Sequence, residues 1–142
     1  AEIVREVLRA RSHFDLLVFQ RTYRLAMEIF EITKAFPKNE AYSLTDQIRR
    51  SSRACSALIA EGWGRRRYPA AFINKLSESE AEIMETQTWL RFCRDCGYLL
   101  TESHDKLIAE YELALRSLAA MINHSDSWTK NVARPGKRPK SE

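Results

Sequence analysis

Residues 47–67 read QIRRSSRACSALIAEGWGRRR, and this stretch decides the fold of the chain. Its middle carries almost only small side chains, which allow a neighbouring helix to approach closely. Arginines lie at both ends, and Glu61 stands directly before Gly62. The stretch therefore predicts a tightly packed helix in a helical assembly, with a basic rim that suits an anionic partner.

The length and composition indicate one mainly helical domain. The chain has 142 residues, of which 44% are hydrophobic, with four glycines and four prolines. It contains no run of eighteen apolar residues and no signal-peptide core, so we expect a cytoplasmic protein without a membrane partner. Its three cysteines are an odd number, which favours reduced thiols over a disulfide framework.

The positive charge is unevenly distributed. From residue 129 onward five basic residues face one acidic residue, a net +4, whereas residues 1–128 hold 18 basic and 18 acidic side chains. Residues 43–68 hold six arginines against two acidic residues, a net +4, and residues 101–126 carry a net −3 from two basic and five acidic residues. One region of the sequence is thus a candidate anion-binding surface, and another region carries the opposite charge.

The apolar pattern predicts an all-α, antiparallel, up-down-up-down four-helix bundle. The expected helices span residues 15–35, 43–61, 69–96 and 102–123. Gly62 and Gly64 are expected to end the second helix, and Gly97 the third. The first helix carries two parallel apolar stripes, which favours contact with another subunit. We expect an N-terminal extension at 1–13, the bundle at 14–128 and a disordered basic tail at 129–142.

Known catalytic and metal-binding patterns do not fit. A di-iron bundle needs Glu-x-x-His motifs, and none of His13, His104 and His124 has a glutamate three residues earlier. A helical ribonuclease with an Arg-x₄₋₆-His motif also fails, because Arg9 lies one residue too close to His13. We therefore predict neither an enzyme, nor a metal site, nor a cofactor.

Two further pairs have ordinary structural interpretations. Cys93 and Cys96 have the spacing of a redox or zinc motif, but they end a helix and no second cysteine pair follows, so we interpret them as structural thiols. Glu82 and Glu85 lie one helical turn apart. We interpret them as a solvated or inter-helix ionic pair.

The arginines are the candidate nucleic-acid-binding residues, since basic side chains interleaved with Trp63 and Tyr68 suit an unpaired strand. The alternative is a structural role, in salt bridges to the acidic fourth helix of the same or a neighbouring subunit. The candidate binding residues are Arg49, Arg50, Arg53, Arg65, Arg66, Arg67, Lys130, Arg134, Lys137, Arg138 and Lys140. The candidate structural or interface residues are Glu61, Gly62, Trp63, Glu82 and Glu85.

Glu61 is an unusual residue for the C-terminal end of a helix. A helix C-terminus disfavours an anion, so we expect a specific partner for its carboxylate. The candidates are an arginine of Arg65 to Arg67, or Arg49, Arg50 or Arg53 of another chain.

The order and spacing of several short motifs resemble the family of 23S rRNA intervening-sequence proteins, also labelled S23. The resemblance covers residues 14–122. It is carried by Phe14-Asp15-Leu16, Phe19-Gln20, Phe36-Pro37, Glu40, Tyr42-Ser43-Leu44, Gln47-Ile48-Arg49-Arg50, Ile59-Ala60-Glu61-Gly62, Phe72-Ile73-Asn74-Lys75, Glu82, Glu85-Thr86, Trp89-Leu90 and Gly97-Tyr98-Leu99. One departure is Leu58, where the family usually has asparagine.

The resemblance implies a four-helix bundle that assembles as a homopentamer. It also implies a relation to the accessory variability determinant of diversity-generating retroelements, a basic pentamer that binds nucleic acid and a reverse transcriptase. We therefore expect a non-enzymatic, oligomeric accessory protein that binds RNA or RNA/DNA, with a reverse transcriptase as partner. The alternative is a protein-binding scaffold associated with ribosomal RNA intervening sequences, whose arginines lie in subunit interfaces.

Overall fold

The structure is a computed structural model that describes the backbone of residues 2–129 and the side chains of residues 5–129. Within that range every regular element is helical. The six α-helices are α1 (Glu2–Arg9), α2 (Leu17–Thr33), α3 (Leu44–Gly64), α4 (Pro69–Asp95), α5 (Thr101–Asn123) and α6 (Ser125–Thr129). Short 3₁₀ turns at His13–Asp15 and Lys38–Glu40 precede α2 and α3. The expected disordered tail lies outside the described residues, apart from Thr129.

The four long helices surround one core. α3 contacts α2 on one side and α4 on the other, and α5 contacts both α4 and α2. Helix α5, the last of the four long helices, packs one apolar face against the core. The buried apolar residues of this face are Leu107, Tyr111, Ala114, Leu118 and Met121. No helix in the described part of the chain has the length and apolar character needed to cross a membrane.

Helix α2 uses one broad face for the core, drawn from both predicted stripes. Its buried residues are Val18, Phe19, Thr22, Leu25, Ala26, Ile29 and Thr33. One predicted stripe consists of Leu16, Phe19, Tyr23, Ala26 and Phe30. Two of its members turn outward, because Tyr23 is 54% exposed and Phe30 is half-buried. The contact of this helix with another subunit stays a prediction.

The sequence predicted that Gly62 ends α3. The structure differs, because α3 continues through Gly62 to Gly64. Gly62 is buried, and a Cβ atom on it would lie 3.2 Å from Leu76 Cδ2 and 3.4 Å from Lys75 Cβ of α4. The glycine is therefore a point of close helix approach rather than a stop signal.

Hydroxyl groups join α3 to α4 along the same seam. Thr86 Oγ1 donates to Ser51 Oγ at 2.8 Å, and Ser79 Oγ donates to the Cys55 carbonyl oxygen at 2.8 Å. These bonds satisfy polar groups that would otherwise be buried without partners. The small residues of the opening stretch thus serve the α3–α4 contact, as predicted.

The turn signals around α4 are confirmed. Pro69 occupies the first turn, where its missing N–H costs nothing. Gly97 has a φ of +80°, and the N–H of Tyr98 donates to the Cys93 carbonyl oxygen at 2.9 Å. This is the left-handed helix ending that glycine favours.

Short helices lie before the first and after the last of the four long helices. Helix α1 lies within the expected extension, and Glu6 Oε1 accepts a hydrogen bond from the Leu17 N–H at 2.8 Å. Helix α6 follows α5 directly and contacts α1, α4 and α5. Its Trp128 is only 2% exposed, so it belongs to the core.

Candidate nucleic-acid interface

Three consecutive arginines form the turn between α3 and α4. The turn is tight, because the Arg65 N–H donates to the Gly62 carbonyl oxygen at 3.0 Å and the Tyr68 N–H donates to the Arg65 carbonyl oxygen at 2.9 Å. Arg65 and Arg67 are exposed, and neither lies within ion-pair distance of a carboxylate in the described residues. The two guanidinium groups are therefore available to an external anion.

Arg66, in contrast, makes its contacts within the protein. Its Cζ lies 3.4 Å from the centre of the Trp63 ring, and its Nε donates to the Trp63 carbonyl oxygen at 2.9 Å. Partial burial lowers the pKa of Arg66. The stack is a cation–π contact, which stabilises the turn and holds Arg66 against the protein.

Trp63 is consequently not free to stack on a base, as the sequence had suggested. One face of its indole carries Arg66, and its ring meets Trp128 of α6 in a T-shaped contact with 6.5 Å between centroids. Tyr68, in contrast, is 47% exposed beside the turn. It is the aromatic side chain of this segment that can still accept a base.

The Trp63–Trp128 contact also places the end of α6 beside the arginine turn. Thr129, the last described residue, directly precedes Lys130, the first basic residue of the tail. The candidate tail residues Lys130, Arg134, Lys137, Arg138 and Lys140 lie outside the described residues. Their point of attachment nevertheless lies at the same end of the molecule as Arg65 and Arg67.

The other three arginines lie further along α3. At 1.5 Å per helical residue, Arg53 is about 18 Å from Arg65 along the axis. Arg50 forms an ion pair with Asp46 across one turn, with 3.2 Å between Nε and Oδ2. The six arginines therefore form two groups rather than one continuous patch.

Arg49 and Arg53 share the ring of Phe30 on α2. Their Cζ atoms lie 4.7 Å and 5.9 Å from the ring centroid. Arg49 Nε also donates to Thr33 Oγ1 at 2.8 Å. Lys34 Nζ lies 4.8 Å from the same ring, so three cations surround one aromatic side chain.

Phe30 and Lys34 were not among the sequence-predicted site residues. Their signal is present in the sequence, because a lysine four residues after an aromatic residue lies next to it on a helix. The pairing of that helix with Arg49 and Arg53 depends on tertiary packing, which the sequence alone does not reveal.

Glu61 pairs with a lysine of the same chain. Its Oε2 lies 3.5 Å from Lys75 Nζ, which also reaches Glu78 Oε2 at 3.2 Å. The expected pairing with Arg65, Arg66 or Arg67 is therefore wrong within the chain, because α3 continues past Glu61 and carries those arginines away from it. Pairing with an arginine of another chain stays a prediction.

The acidic helix α5 does not form salt bridges with the arginines of α3 either. Its Glu110 binds Arg21 and Arg24 of α2, and its Glu112 accepts a hydrogen bond from Gln87 of α4. The salt-bridge alternative for Arg49 to Arg67 with α5 of the same chain therefore does not hold.

Glu82 and Glu85 form a pair of like charges. Partial burial raises the pKa of Glu82, and so do a hydrogen bond to Glu85 and the charge of that residue. Neither has a basic side chain at ion-pair distance in the described part of the chain. Of the two predicted interpretations, an ionic pair with another helix of the same chain is absent from residues 5–129, whereas a solvated pair agrees with the exposure of Glu85.

Cys55 and Cys93 behave as structural thiols, but the prediction is wrong for Cys96, which lies exposed at the end of α4. Cys55 and Cys93 are buried, and burial raises the pKa of each thiol to about 12, whereas Cys96 is exposed. A thiolate is what redox and zinc chemistry require, and burial suppresses it. Across residues 5–129, no three potential metal-ligating side chains cluster together.

Comparisons with known proteins agree with this fold. The model of the 23S rRNA-intervening sequence protein family matches residues 14–122. A crystal structure of a protein of unknown function from the S23 ribosomal protein family of Bacteroides thetaiotaomicron is similar to this chain, with a TM-score of 0.66 and 27% identity. The similarity covers 75% of this chain and 98% of that one.

No functionally curated protein matches the chain. The family match, however, runs from the turn before α2 almost to the end of α5, and so spans all four long helices. The resemblance predicted from the sequence is confirmed: this chain belongs to the family of 23S rRNA-intervening sequence proteins.

Proposed function

We propose that this chain is a non-enzymatic, oligomeric accessory protein of the cytoplasm that binds RNA or an RNA/DNA hybrid through one basic end. The observation that carries the proposal is the unpaired state of Arg65 and Arg67 beside the attachment point of the basic tail. Two elements that are far apart in the sequence thereby contribute to one anion-binding surface.

The chemistry of that end suits a nucleic-acid backbone. Guanidinium groups offer several N–H donors and bind phosphate oxygens in pairs. The tail adds five basic residues against one acidic residue. Tyr68 supplies a ring on which an unpaired base can stack, and such stacking tolerates any sequence. We therefore infer recognition of an unpaired or structured strand without strong sequence preference.

Assembly would strengthen this weak surface. The connections between the long helices are short, which favours an antiparallel, up-down-up-down order. The family resemblance implies a homopentamer. A ring of five basic ends would bind one strand at several points, which raises overall affinity without any new contact.

A protein-binding scaffold is the second candidate function. It is favoured by Arg49 and Arg53, whose guanidinium groups are both held against the Phe30 ring. Such preorganised cations suit a protein surface. The protein partner would be a reverse transcriptase in a retroelement or a ribosomal component. Gene position separates these two, since one predicts an adjacent reverse transcriptase gene and the other a location inside a 23S rRNA gene.

The direct test is RNA binding by a variant with Arg65→Ala and Arg67→Ala. Arg66 is left in place because its removal would also disturb the Trp63 stack. The matched control carries Arg91→Ala and Arg116→Ala, which remove two exposed arginines outside this end. Loss of affinity in the first variant alone supports the proposal, and equal affinity in both contradicts it.

A further inference from the structure

The two sides of α3 border opposite charges that have no ion-pair partner in residues 5–129. On the α4 side lie Glu82 and Glu85. Lys75, two turns before Glu82 on the same face of α4, reaches Glu61 of α3 at 3.5 Å, which fixes that face as the one that borders α3. No lysine or arginine of the described residues pairs with either glutamate.

The surface of α3 next to Glu82 and Glu85 carries mainly small side chains. Ser51 accepts a hydrogen bond from Thr86 of α4, and Ala54 and Leu58 follow Ser51 on the same flank of the helix. Ser51 and Ala54 have short side chains, which allow another surface to approach Glu82 and Glu85 without a steric barrier.

On the α2 side of α3 lie the cations around Phe30. Arg49 is half-buried and held by Thr33 and by the Phe30 ring, and Arg53 lies against the outer part of the same ring. Neither arginine has a carboxylate at ion-pair distance in residues 5–129, whereas Lys34 already binds Glu31. Arg53 is thus the exposed, unneutralised member of the group.

Apolar side chains extend this cationic face along α2. Tyr23, Met27 and Phe30 follow one another at helical spacing, and Tyr23 and Met27 are 54% and 47% exposed. An exposed apolar strip rimmed by charge is typical of a protein interface rather than of a nucleic-acid groove.

We propose that Arg53 of one copy of this chain, supported by Arg49, pairs with Glu82 and Glu85 of the next copy. The two surfaces lie on different sides of α3, so one copy can offer its cations to one neighbour and its glutamates to another, in a head-to-tail contact. Contacts of this kind close into rings when the rotation between copies permits. The inference deepens the oligomer of the proposed function, and it assigns Arg49 and Arg53 to assembly while Arg65 and Arg67 remain free for RNA.

The test is the mass of the full chain in solution at low salt, measured by sedimentation or light scattering. We expect the wild type to have a mass several times the chain mass of 16.5 kDa. Arg53→Glu should shift the mass toward that of one chain, and so should the double change Glu82→Arg with Glu85→Arg. Arg116→Glu, an equal charge reversal at an exposed site elsewhere, should leave the mass unchanged.

The triple variant with Arg53→Glu, Glu82→Arg and Glu85→Arg decides the pairing, because it restores opposite charges with their signs exchanged. Recovery of the wild-type mass supports the inference. A monomeric wild type, an unchanged mass in the charge-reversal variants, or a triple variant that stays small would each overturn it. Helical circular dichroism of every variant shows that the chain remains folded.

The two proposals fail separately. A ring that does not bind RNA contradicts the RNA binding of the proposed function and leaves the assembly intact. A monomer that binds RNA through Arg65 and Arg67 contradicts the assembly, and with it the oligomeric part of the proposed function, but leaves the RNA binding intact.

Discussion

A Cβ atom on Gly62 would lie 3.2 Å from Cδ2 of Leu76, the residue of α4 that faces it. Leu76 is fully buried, so it has little room to move away. Gly64, two residues later in the same helix, has no atom within 4 Å of its Cβ position. Two glycines that look equivalent in the sequence therefore have different roles.

We predict that alanine at these two positions changes stability in opposite directions. Gly64→Ala should raise the free energy of unfolding by about 0.5 to 1 kcal/mol, because alanine is the better helix former. Gly62→Ala gains the same helix preference, but overpacking costs about 1 to 3 kcal/mol, so the net effect should be a loss. Urea unfolding measures both. Equal stabilisation by the two changes would contradict the close approach of α3 and α4.

The sequence predicted the long helices because each carries a continuous apolar pattern and a recognisable end, as Pro69 and Gly97 illustrate. It misassigned Gly62 because a glycine near a helix end resembles a stop signal, and only the neighbouring helix reveals its role. The same limit applies to the site. Arg66 and Arg67 are adjacent and chemically identical, yet the conformation of the turn packs Arg66 on Trp63, three residues earlier, and leaves Arg67 exposed.

Trp128 provides a second stability test, because it lies in α6, a helix that no apolar pattern in the sequence predicts. The indole is 2% exposed and contacts Trp63. Trp128→Ala should reduce the free energy of unfolding by about 3 to 5 kcal/mol, as for other large buried side chains.

Tyr42→Ala is the control for that measurement, because Tyr42 is 97% exposed. Its effect should stay within about 0.5 kcal/mol. If Trp128→Ala were equally mild, α6 would not be part of the core and the tail would not be anchored beside Arg65.

The three thiols should differ in reactivity. At pH 8 we expect a thiol reagent to modify Cys96 quickly in the folded protein, and Cys55 and Cys93 only on unfolding, because the reagent needs a thiolate. Rapid modification of all three thiols in the native state would contradict the burial of Cys55 and Cys93.

Cys55 and Cys93 should also make the stability of the fold depend on pH in the alkaline range. Their pKa is raised from 9.0 to about 12 in the folded chain, so the unfolded chain loses its thiol protons first. This contribution to stability is complete below about pH 9 and is lost as the pH rises toward 12. A variant with Cys55→Ala and Cys93→Ala should therefore show a smaller decrease in stability between pH 9 and 11 than the wild type.

The most direct test of the account is the salt dependence of RNA binding to the full chain. Each phosphate contact contributes about 0.7 to 0.9 to the slope of log K against log salt concentration. We predict that Arg65→Ala with Arg67→Ala weakens binding and flattens this slope by about one per arginine removed from each bound chain, while Arg91→Ala with Arg116→Ala leaves both unchanged. Identical affinities and slopes for the two variants would contradict the proposal that the turn between α3 and α4 binds nucleic acid.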